Sequence, residues 1–204
     1  MYVPPLFAVD DDEAWRIVRD AGAGFLVIQS ESGLASVYVP VIVSDDRRTI
    51  RTHVAKANPW WKAVEDGSDV LALFLAASAY VTPSYYPSRL ENPGVVPTWN
   101  YVAAEVSGRA TIRNDDEWKM AQTTDVTSHF ERGRDPEWRA DDLDAQYRQA
   151  QLRAIVGIEI DVISIEGKAK LSQNRPDVDR NSVREHFLGG TLAERNVGER
   201  MGDH

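Results

Sequence analysis

Three cationic side chains lie close together near the C-terminal end of the chain. Residues 167–175, Gly-Lys-Ala-Lys-Leu-Ser-Gln-Asn-Arg, combine two lysines and an arginine with three neutral hydrogen-bonding side chains, although the formal net charge of the chain is −9. The alternating run from Ile158 to Ile165 predicts a half-buried strand just before them. Because a sheet fixes the end of a strand while the loop leaves room for a small molecule, the segment predicts an anion site. A solvated basic turn is the alternative.

A second segment, His53-Val-Ala-Lys-Ala-Asn58-Pro59, is typical of a strand that runs into the start of a helix. Free backbone N–H groups and the helix dipole at such a start favour a phosphate, and Lys56 would add a full positive charge. The alternative is an ordinary helix start with an exposed lysine.

Two aromatic side chains, Trp99 and Tyr101, fall on the same face of a predicted strand, because side chains alternate between the two faces. This pair could flank a flat ring. Packing in a core or an interface is the alternative. The proline-rich loop from Pro83 to Pro97 cannot join the interior of a sheet, and its hydroxyl groups could close over a ligand or only stiffen the loop.

The composition removes several classes of function. The 204 residues include no cysteine, so disulfides and thiolate metal sites are excluded, and the four histidines are too widely spaced to predict a metal site. The sequence contains no P-loop, Gly-x-Ser-x-Gly or Gly-x-Gly-x-x-Gly motif.

The N-terminus does not resemble a signal peptide, and the longest apolar run, Val70 to Val81, is shorter than the roughly 20 residues that span a bilayer. We therefore expect a cytoplasmic protein with no membrane contact. The net negative charge and the absence of a basic recognition helix argue against direct nucleic-acid binding.

The order of predicted elements indicates a mostly β or α+β fold, an antiparallel barrel with peripheral helices. Strands are expected at 25–28, 34–43, 49–54, 70–74, 79–82, 98–113 and 157–166, with the first three forming a meander, and helices at 11–21, 59–67, 115–131, 141–155 and 178–188. We expect a single domain over residues 1–188 and a flexible tail over 189–204.

Five segments, in the same order along nearly the whole chain, resemble the PaiB family. They are Met1-Tyr-Val-Pro with Phe7, His53 to Trp61, Tyr80 to Pro87, Val96 to Tyr101, and Gly167 to Arg175. That family is described as FMN-binding negative transcriptional regulators with the split-barrel fold of pyridoxamine phosphate oxidases. Such barrels are typically homodimers that hold flavin at the subunit interface.

The resemblance implies an FMN site. It places His53, Lys56 and Asn58 near the phosphate and Lys170, Ser172, Gln173, Asn174 and Arg175 in the same site, with Trp99, Asn100 and Tyr101 at the ring or the dimer seam. The chain departs from the family at two places. It has Val37-Tyr38-Val39-Pro40 where the family usually shows Thr-His-Leu-Pro, and Thr52 where the family has glycine before the histidine.

Three functions follow as hypotheses. The resemblance implies a homodimeric, FMN-binding negative regulator, and the charge of the chain argues that any regulation is indirect. The alternative is an FMN-dependent oxidoreductase or flavin reductase, with a reduced nicotinamide or another small molecule as substrate. A haem-binding split-barrel protein is a third, weaker hypothesis. The sequence assigns no residue a catalytic role, because flavin itself would supply the reactive atom.

Overall fold

The computed structural model describes residues 1–91 and 94–202. It contains seven strands, β1 Ala23–Ser30, β2 Gly33–Pro40, β3 Ile42–Val43, β4 Thr49–Ala55, β5 Ser68–Val81, β6 Thr98–Arg113 and β7 Ile155–Lys170. The helices are α1 Asp11–Ala21, α2 Asp116–Glu131, α3 Ala145–Arg153, α4 Asp177–Leu188 and α5 Leu192–Arg200. Among these described residues, no helix is both long and apolar enough to cross a membrane.

The strands form one open antiparallel sheet in the order β2-β1-β5-β6-β7-β4-β3. This confirms the predicted antiparallel fold with helices. The predicted meander of the first three strands is wrong, because β2 pairs with β1 at one edge while β3 and β4 lie at the other edge beside β7. Strands β4 and β7 form seven residue pairs although they are far apart in sequence, and the short turns between neighbouring strands do not predict this pairing.

Strand β5 joins two segments that the sequence predicts separately. Burial along it falls on even positions up to Phe74 and on odd positions from Ala77 onward. Small, weakly β-forming residues occupy the point where the alternation changes phase, which explains why the pattern suggests a break. Strand β7 is also longer than predicted, and its last residue is Lys170.

The chain divides into two compact units, and each of the long strands β5, β6 and β7 contributes residues to both. The first unit comprises Met1–Ala21, Phe74–Glu105 and Ile165–His204. In its helix α1, Asp10 Oδ1 accepts a hydrogen bond from the Glu13 N–H at 2.8 Å and so caps the start of the helix. Its buried side chains include Trp15, Ile17, Phe74, Tyr86, Leu171 and Phe187.

The second unit comprises Gly22–Leu73 and Val106–Ser164. Its core is built from alternate residues of the strands, and the buried side chains include Leu26, Ile28, Ile50, Ile158 and Ile160. Trp118 of α2 donates its ring N–H to Glu159 of β7 at 3.1 Å, and Arg113 donates to the same carboxylate, so this helix is tied to the sheet.

The expected flexible tail over 189–204 contains a helix instead. Thr191 and Glu194 form a reciprocal capping box at the start of α5, and Val197 and Met201 are buried. The Thr-x-x-Glu signal is present in the sequence, but the glycines and charges around it suggested fraying. Residues 203–204 lie outside the described residues, and the single-domain assignment of residues 1–188 stays a prediction.

Candidate anion-binding site

The end of β7 carries two lysines on the same face of the strand. Lys168 is largely buried, and its Nζ donates to the Tyr2 carbonyl at 3.0 Å and lies 5.2 Å from the centroid of the Tyr101 ring. The Nζ of Lys170 donates to Thr98 Oγ1 at 2.5 Å and to the Trp99 carbonyl at 2.8 Å. All of these partners are neutral, so the partners leave both positive charges in place.

A tight turn between β7 and α4 supports these lysines. Ser172 has a φ of 66°, in the left-handed region that non-glycine residues seldom adopt. Its hydroxyl exchanges hydrogen bonds with the buried Asn100 side chain at 3.0 and 3.2 Å. Gln173 folds back onto its own backbone, accepting from the Leu171 N–H and donating to the Ala169 carbonyl, both at 2.6 Å. These side chains therefore fix the turn.

The third cation, Arg175, lies over an aromatic ring of the proline-rich loop. Its guanidinium carbon is 4.6 Å from the centroid of Tyr86, a cation–π geometry. The Tyr86 side chain is fully buried, and its burial raises the pKa of the phenol, while Arg175 opposes that rise. The loop thus contributes the surface on which the guanidinium rests.

Electrostatics make this group, Lys168, Lys170 and Arg175, a cation cluster without a counter-ion. Within residues 1–91 and 94–202, none of the three forms a salt bridge to a carboxylate. Burial lowers the pKa of Lys170, and the neighbouring charges of Lys168 and Arg175 lower it further. An anion bound here would relieve that mutual repulsion, so the arrangement favours a small, strongly charged anionic group.

Exposed aromatic side chains lie beside the cation cluster on β5 and β6. Trp99 is 53% exposed, and its ring meets that of Tyr80 edge to face at 6.2 Å. Lys170 is bonded to the Trp99 carbonyl, so the aromatic pair and the cations share this part of the first unit. A flat ring would find apolar surface next to the charges.

The second predicted group, His53, Lys56 and Asn58, belongs to the second unit. The His53 Nδ1 donates to Oε1 of the buried Gln122 at 2.8 Å, which places the imidazole against helix α2. Asn58 caps a short 3-10 helix, Pro59–Ala63, by accepting from the Trp60 N–H at 3.0 Å, while Lys56 is exposed. The expected longer helix over 59–67 is therefore a single short turn, in which the cap satisfies one of the free N–H groups.

Comparison with known proteins follows the sequence and the fold. Residues 1–164 match the sequence model of a family described as "Putative FMN-binding domain". The Bacillus subtilis "Protease synthase and sporulation protein PAI 2" is 35% identical over 190 residues, which cover 92% of this chain and 89% of that protein. The chain belongs to the PaiB family of FMN-binding proteins. The cofactor predicted from the sequence, FMN, is thereby confirmed.

Solved structures show the fold of this PaiB-family protein. An FAD and heme binding protein from Mycobacterium smegmatis aligns with a TM-score of 0.61 at 15% identity, over 86% of this chain and 79% of that one. The flavocytochrome Anf3 from Azotobacter vinelandii aligns with a TM-score of 0.60 at 12% identity, over 80% and 69% of the two chains. The predicted split-barrel fold is confirmed.

The PaiB-family resemblance named eleven site residues, and the structure distributes them unevenly. In the first unit it brings together Lys170, Arg175, Trp99 and Tyr101, with Asn100, Ser172 and Gln173 supporting the turn beneath them and Asn174 exposed. His53, Lys56 and Asn58 lie in the second unit. Their assignment to the same cofactor stays a prediction.

Sequence reasoning missed three contributors to the cation cluster. Lys168 was visible in the opening segment but not assigned to the site, although it lies two residues before Lys170 on the same strand face. Thr98 and Tyr86 come from distant parts of the chain, and only the fold brings their side chains to the lysines and to Arg175. Among the described residues, no group of three or more histidines, aspartates or glutamates could hold a metal ion.

The residues present fit FMN. Its phosphate offers oxygen acceptors with a double negative charge, and the cation cluster supplies donors whose charges no carboxylate neutralises. Its isoalloxazine ring is flat and aromatic, and the exposed rings of Trp99 and Tyr80 offer aromatic surface against which such a ring could pack. The cation cluster lies C-terminal to residues 1–164, which the family's sequence model matches.

Proposed function

We propose that this PaiB-family protein is a homodimeric, flavin-dependent regulator in which the cation cluster holds the FMN phosphate. The observation that carries the proposal is the set of three cations, Lys168, Lys170 and Arg175, which have neutral partners and form no salt bridge among the described residues. Charge-assisted hydrogen bonds to phosphate are about twice as strong as neutral ones, so this set suits a phosphate monoester.

The candidate site residues of the first unit have different roles in this proposal. Lys170 and Arg175 contact the phosphate, while Lys168 contributes charge from its largely buried position. Ser172, Gln173 and Asn100 hold the turn that presents them, and Asn174 is exposed at the same turn. Trp99 and Tyr101 face the flavin ring or the dimer seam. FMN, when bound, supplies any hydride or electron chemistry.

The second unit enters the proposal through His53, Lys56 and Asn58, which the family resemblance assigns to the cofactor. The Nδ1 of His53 is hydrogen-bonded to Gln122, so its Nε2 is the ring nitrogen left to contact a ligand. Lys56 is exposed and carries a free charge next to the Asn58 turn. These features support a contact with a ligand bearing both donors and negative charge.

A homodimer is supported by exposed apolar side chains on the strands. In the second unit, Phe25 and Tyr38 are 50% and 61% exposed, and their rings contact each other at 5.0 Å. In the first unit, Trp99 and Tyr80 form the corresponding exposed pair. Aromatic side chains are enriched in protein interfaces because they bury large areas at a low cost in conformational entropy.

Regulation is proposed to be indirect. Duplex binding draws on a basic surface that releases counter-ions, whereas this chain carries a net charge of −9. We propose that the flavin or its redox state is the signal and that the protein acts in the cytoplasm, in keeping with its cysteine-free sequence. Retardation of duplex DNA by the purified protein at physiological salt would overturn the indirect mode.

The proposal is tested by titrating the purified protein with FMN and following the absorption and fluorescence of the flavin. Replacing Lys170 and Arg175 together with alanine should weaken binding at least about tenfold, because each charge-assisted contact contributes roughly 1.5–3 kcal/mol. The control removes the same charge from exposed sites, through Lys62→Ala with Arg109→Ala, and should bind FMN normally. Equal affinities of the two double variants would refute the placement of the phosphate.

A further inference from the structure

Tyr86 lies directly against Arg175, the cation of the cluster whose flexible side chain ends in a planar guanidinium. The guanidinium carbon of Arg175 is 4.6 Å from the centroid of its ring. We propose that Tyr86 is a positioning residue, whose ring sets the direction of the Arg175 guanidinium toward the anion that the cation cluster binds. This inference rests on the proposed function, because it concerns the same phosphate.

Arg175 needs such a support because it forms no salt bridge within residues 1–91 and 94–202. Its backbone N–H donates to the Ser172 carbonyl at 2.9 Å, which fixes the start of the side chain but not its end. Lys170 lies close enough for Arg175 to lower its pKa, so the two cations repel. The face of an aromatic ring attracts a guanidinium and orients its plane without neutralising it. The charge therefore remains available to a ligand.

Tyr86 can serve as a support because the loop that carries it is anchored to helix α4. The fully buried carboxylate of Asp179 accepts hydrogen bonds from the N–H and the hydroxyl of Ser88. The neighbouring Tyr85 stacks on His186 at 4.2 Å with an interplanar angle of 22°. The ring under Arg175 is thus held by contacts on both sides of it in sequence.

The ring, and not the hydroxyl, is the part of Tyr86 that does this. Its phenol oxygen is buried and forms no hydrogen bond of normal geometry with the described residues, although Arg175 lies close enough to lower its pKa. A phenylalanine would offer the same face to Arg175, whereas a leucine would fill much of the space without a π face. This separation of ring from hydroxyl makes the inference testable with conservative changes.

The contact between Arg175 and Tyr86 also links anion binding to the stability of the loop that carries Tyr86. Because Tyr86 contacts Arg175 and its loop is hydrogen-bonded to Asp179, an anion that binds Arg175 in this position should stabilise the loop contacts, and those contacts should stabilise the bound anion by the same factor. Phosphate binding should therefore protect residues 84–89 from proteolysis.

The experiment compares FMN with riboflavin, which lacks the phosphate. Tyr86→Leu should raise the Kd for FMN about three- to thirtyfold and leave the Kd for riboflavin unchanged, whereas Tyr86→Phe should match wild type for both ligands. A loss of affinity for both ligands in Tyr86→Leu would indicate a general defect and overturn the inference. So would an FMN affinity for Tyr86→Phe as low as that of Tyr86→Leu.

A double-mutant cycle shows whether Tyr86 acts through Arg175. In an Arg175→Ala background, Tyr86→Leu should cause no further loss of FMN affinity, and additive losses would refute the positioning role. If Tyr86→Leu does not fold, Arg175→Lys decides, since it keeps the charge on a half-buried residue but lacks the planar head group. The change in log Kd for FMN in Arg175→Lys should be at least half of the change in Arg175→Ala. An unchanged Kd in Arg175→Lys would overturn the inference.

Inorganic phosphate separates this inference from the proposed function. If wild-type protein does not bind FMN but is stabilised by phosphate, and Tyr86→Leu removes that stabilisation, the flavin proposal fails and the positioning role stands. If wild type binds FMN and Tyr86→Leu binds it equally well, the positioning role fails alone. A wild-type protein that responds to neither FMN nor phosphate refutes both.

Discussion

The carboxylate of Asp179 accepts two hydrogen bonds from Ser88, one from its backbone N–H at 3.0 Å and one from its hydroxyl at 2.5 Å. Asp179 lies in the first turn of α4 and is fully buried, so its charge is stabilised by these donors and by the helix dipole. The two residues are 91 positions apart in sequence. Their contact joins the proline-rich loop to the helix that follows the cation cluster.

Replacing Asp179 with alanine should destabilise the protein by about 2 kcal/mol, because two partly buried donors of Ser88 would lose their carboxylate acceptor. Urea denaturation followed by circular dichroism measures this change. Asp177→Ala is the matched control, since Asp177 is exposed in the same helical turn and should cost about 0.3–1 kcal/mol. Similar losses for both variants would show that the Ser88 contact contributes little.

FMN affinity should depend on pH through Lys170. Its folded-state pKa is lowered, mainly by burial and further by Lys168 and Arg175, so the ammonium loses its proton below the ordinary lysine range. Because the charged form binds phosphate, affinity is full below that folded pKa and falls as the pH rises through it. Titrations at increasing pH test this.

Lys170→Arg supplies the control for the pH dependence, because a guanidinium stays charged throughout the range. Its FMN affinity should lack the step that wild type shows. A step of the same size and position in both proteins would assign the titration to another group.

Gly157 should not tolerate a side chain. A Cβ there would lie 2.7 Å from the Arg113 carbonyl oxygen and closer still to the ring of Trp118, which a hydrogen bond to Glu159 holds in place. Gly157→Ala should therefore cost about 1–3 kcal/mol through overpacking. Gly189→Ala is the comparison, because a Cβ at Gly189 would meet nothing closer than 3.8 Å, and its melting temperature should match wild type. Equal melting temperatures for both variants would contradict the predicted clash.

If the protein is a dimer through the exposed pair of Phe25 and Tyr38, a charge at Phe25 should dissociate it into monomers. Phe25→Glu places a carboxylate on the exposed aromatic pair with Tyr38 and should halve the mass measured by light scattering after gel filtration. Ile163→Glu is the control, since Ile163 is 61% exposed on β7 and lies outside that pair. A dimer that survives Phe25→Glu would locate the interface elsewhere.

Local signals predicted much of the fold. The cap formed by Asp10 marks the start of α1, and the pattern from Thr98 to Arg113 gives β6 with the observed bounds. These features depend on residues a few positions apart, so a sequence window contains them. The place of β4 beside β7, with β3 outside it, could not be predicted from such a window, because β4 pairs with residues 100 or more positions away.

The site was predictable to the same degree. Lys170 and Arg175 follow from their own segment, since a strand end with cations is visible locally. The contact of Arg175 with Tyr86 was not, because it joins two loops that only tertiary packing brings together. Nor could the sequence show that Ser172 and Asn100 are used to fix a turn, since the same polar side chains could equally have faced a ligand.

The left-handed backbone of Ser172 has a consequence for the thermodynamics of binding. The turn is closed by groups of the protein itself, through the hydrogen bonds of Ser172 with Asn100 and of Gln173 with its own backbone. Little conformational entropy then remains to be lost when an anion arrives, because the backbone carrying Lys170 and Arg175 is ordered beforehand. The cost of placing Ser172 in the left-handed region is therefore met when the chain folds, and it does not reduce the affinity of the site for an anion.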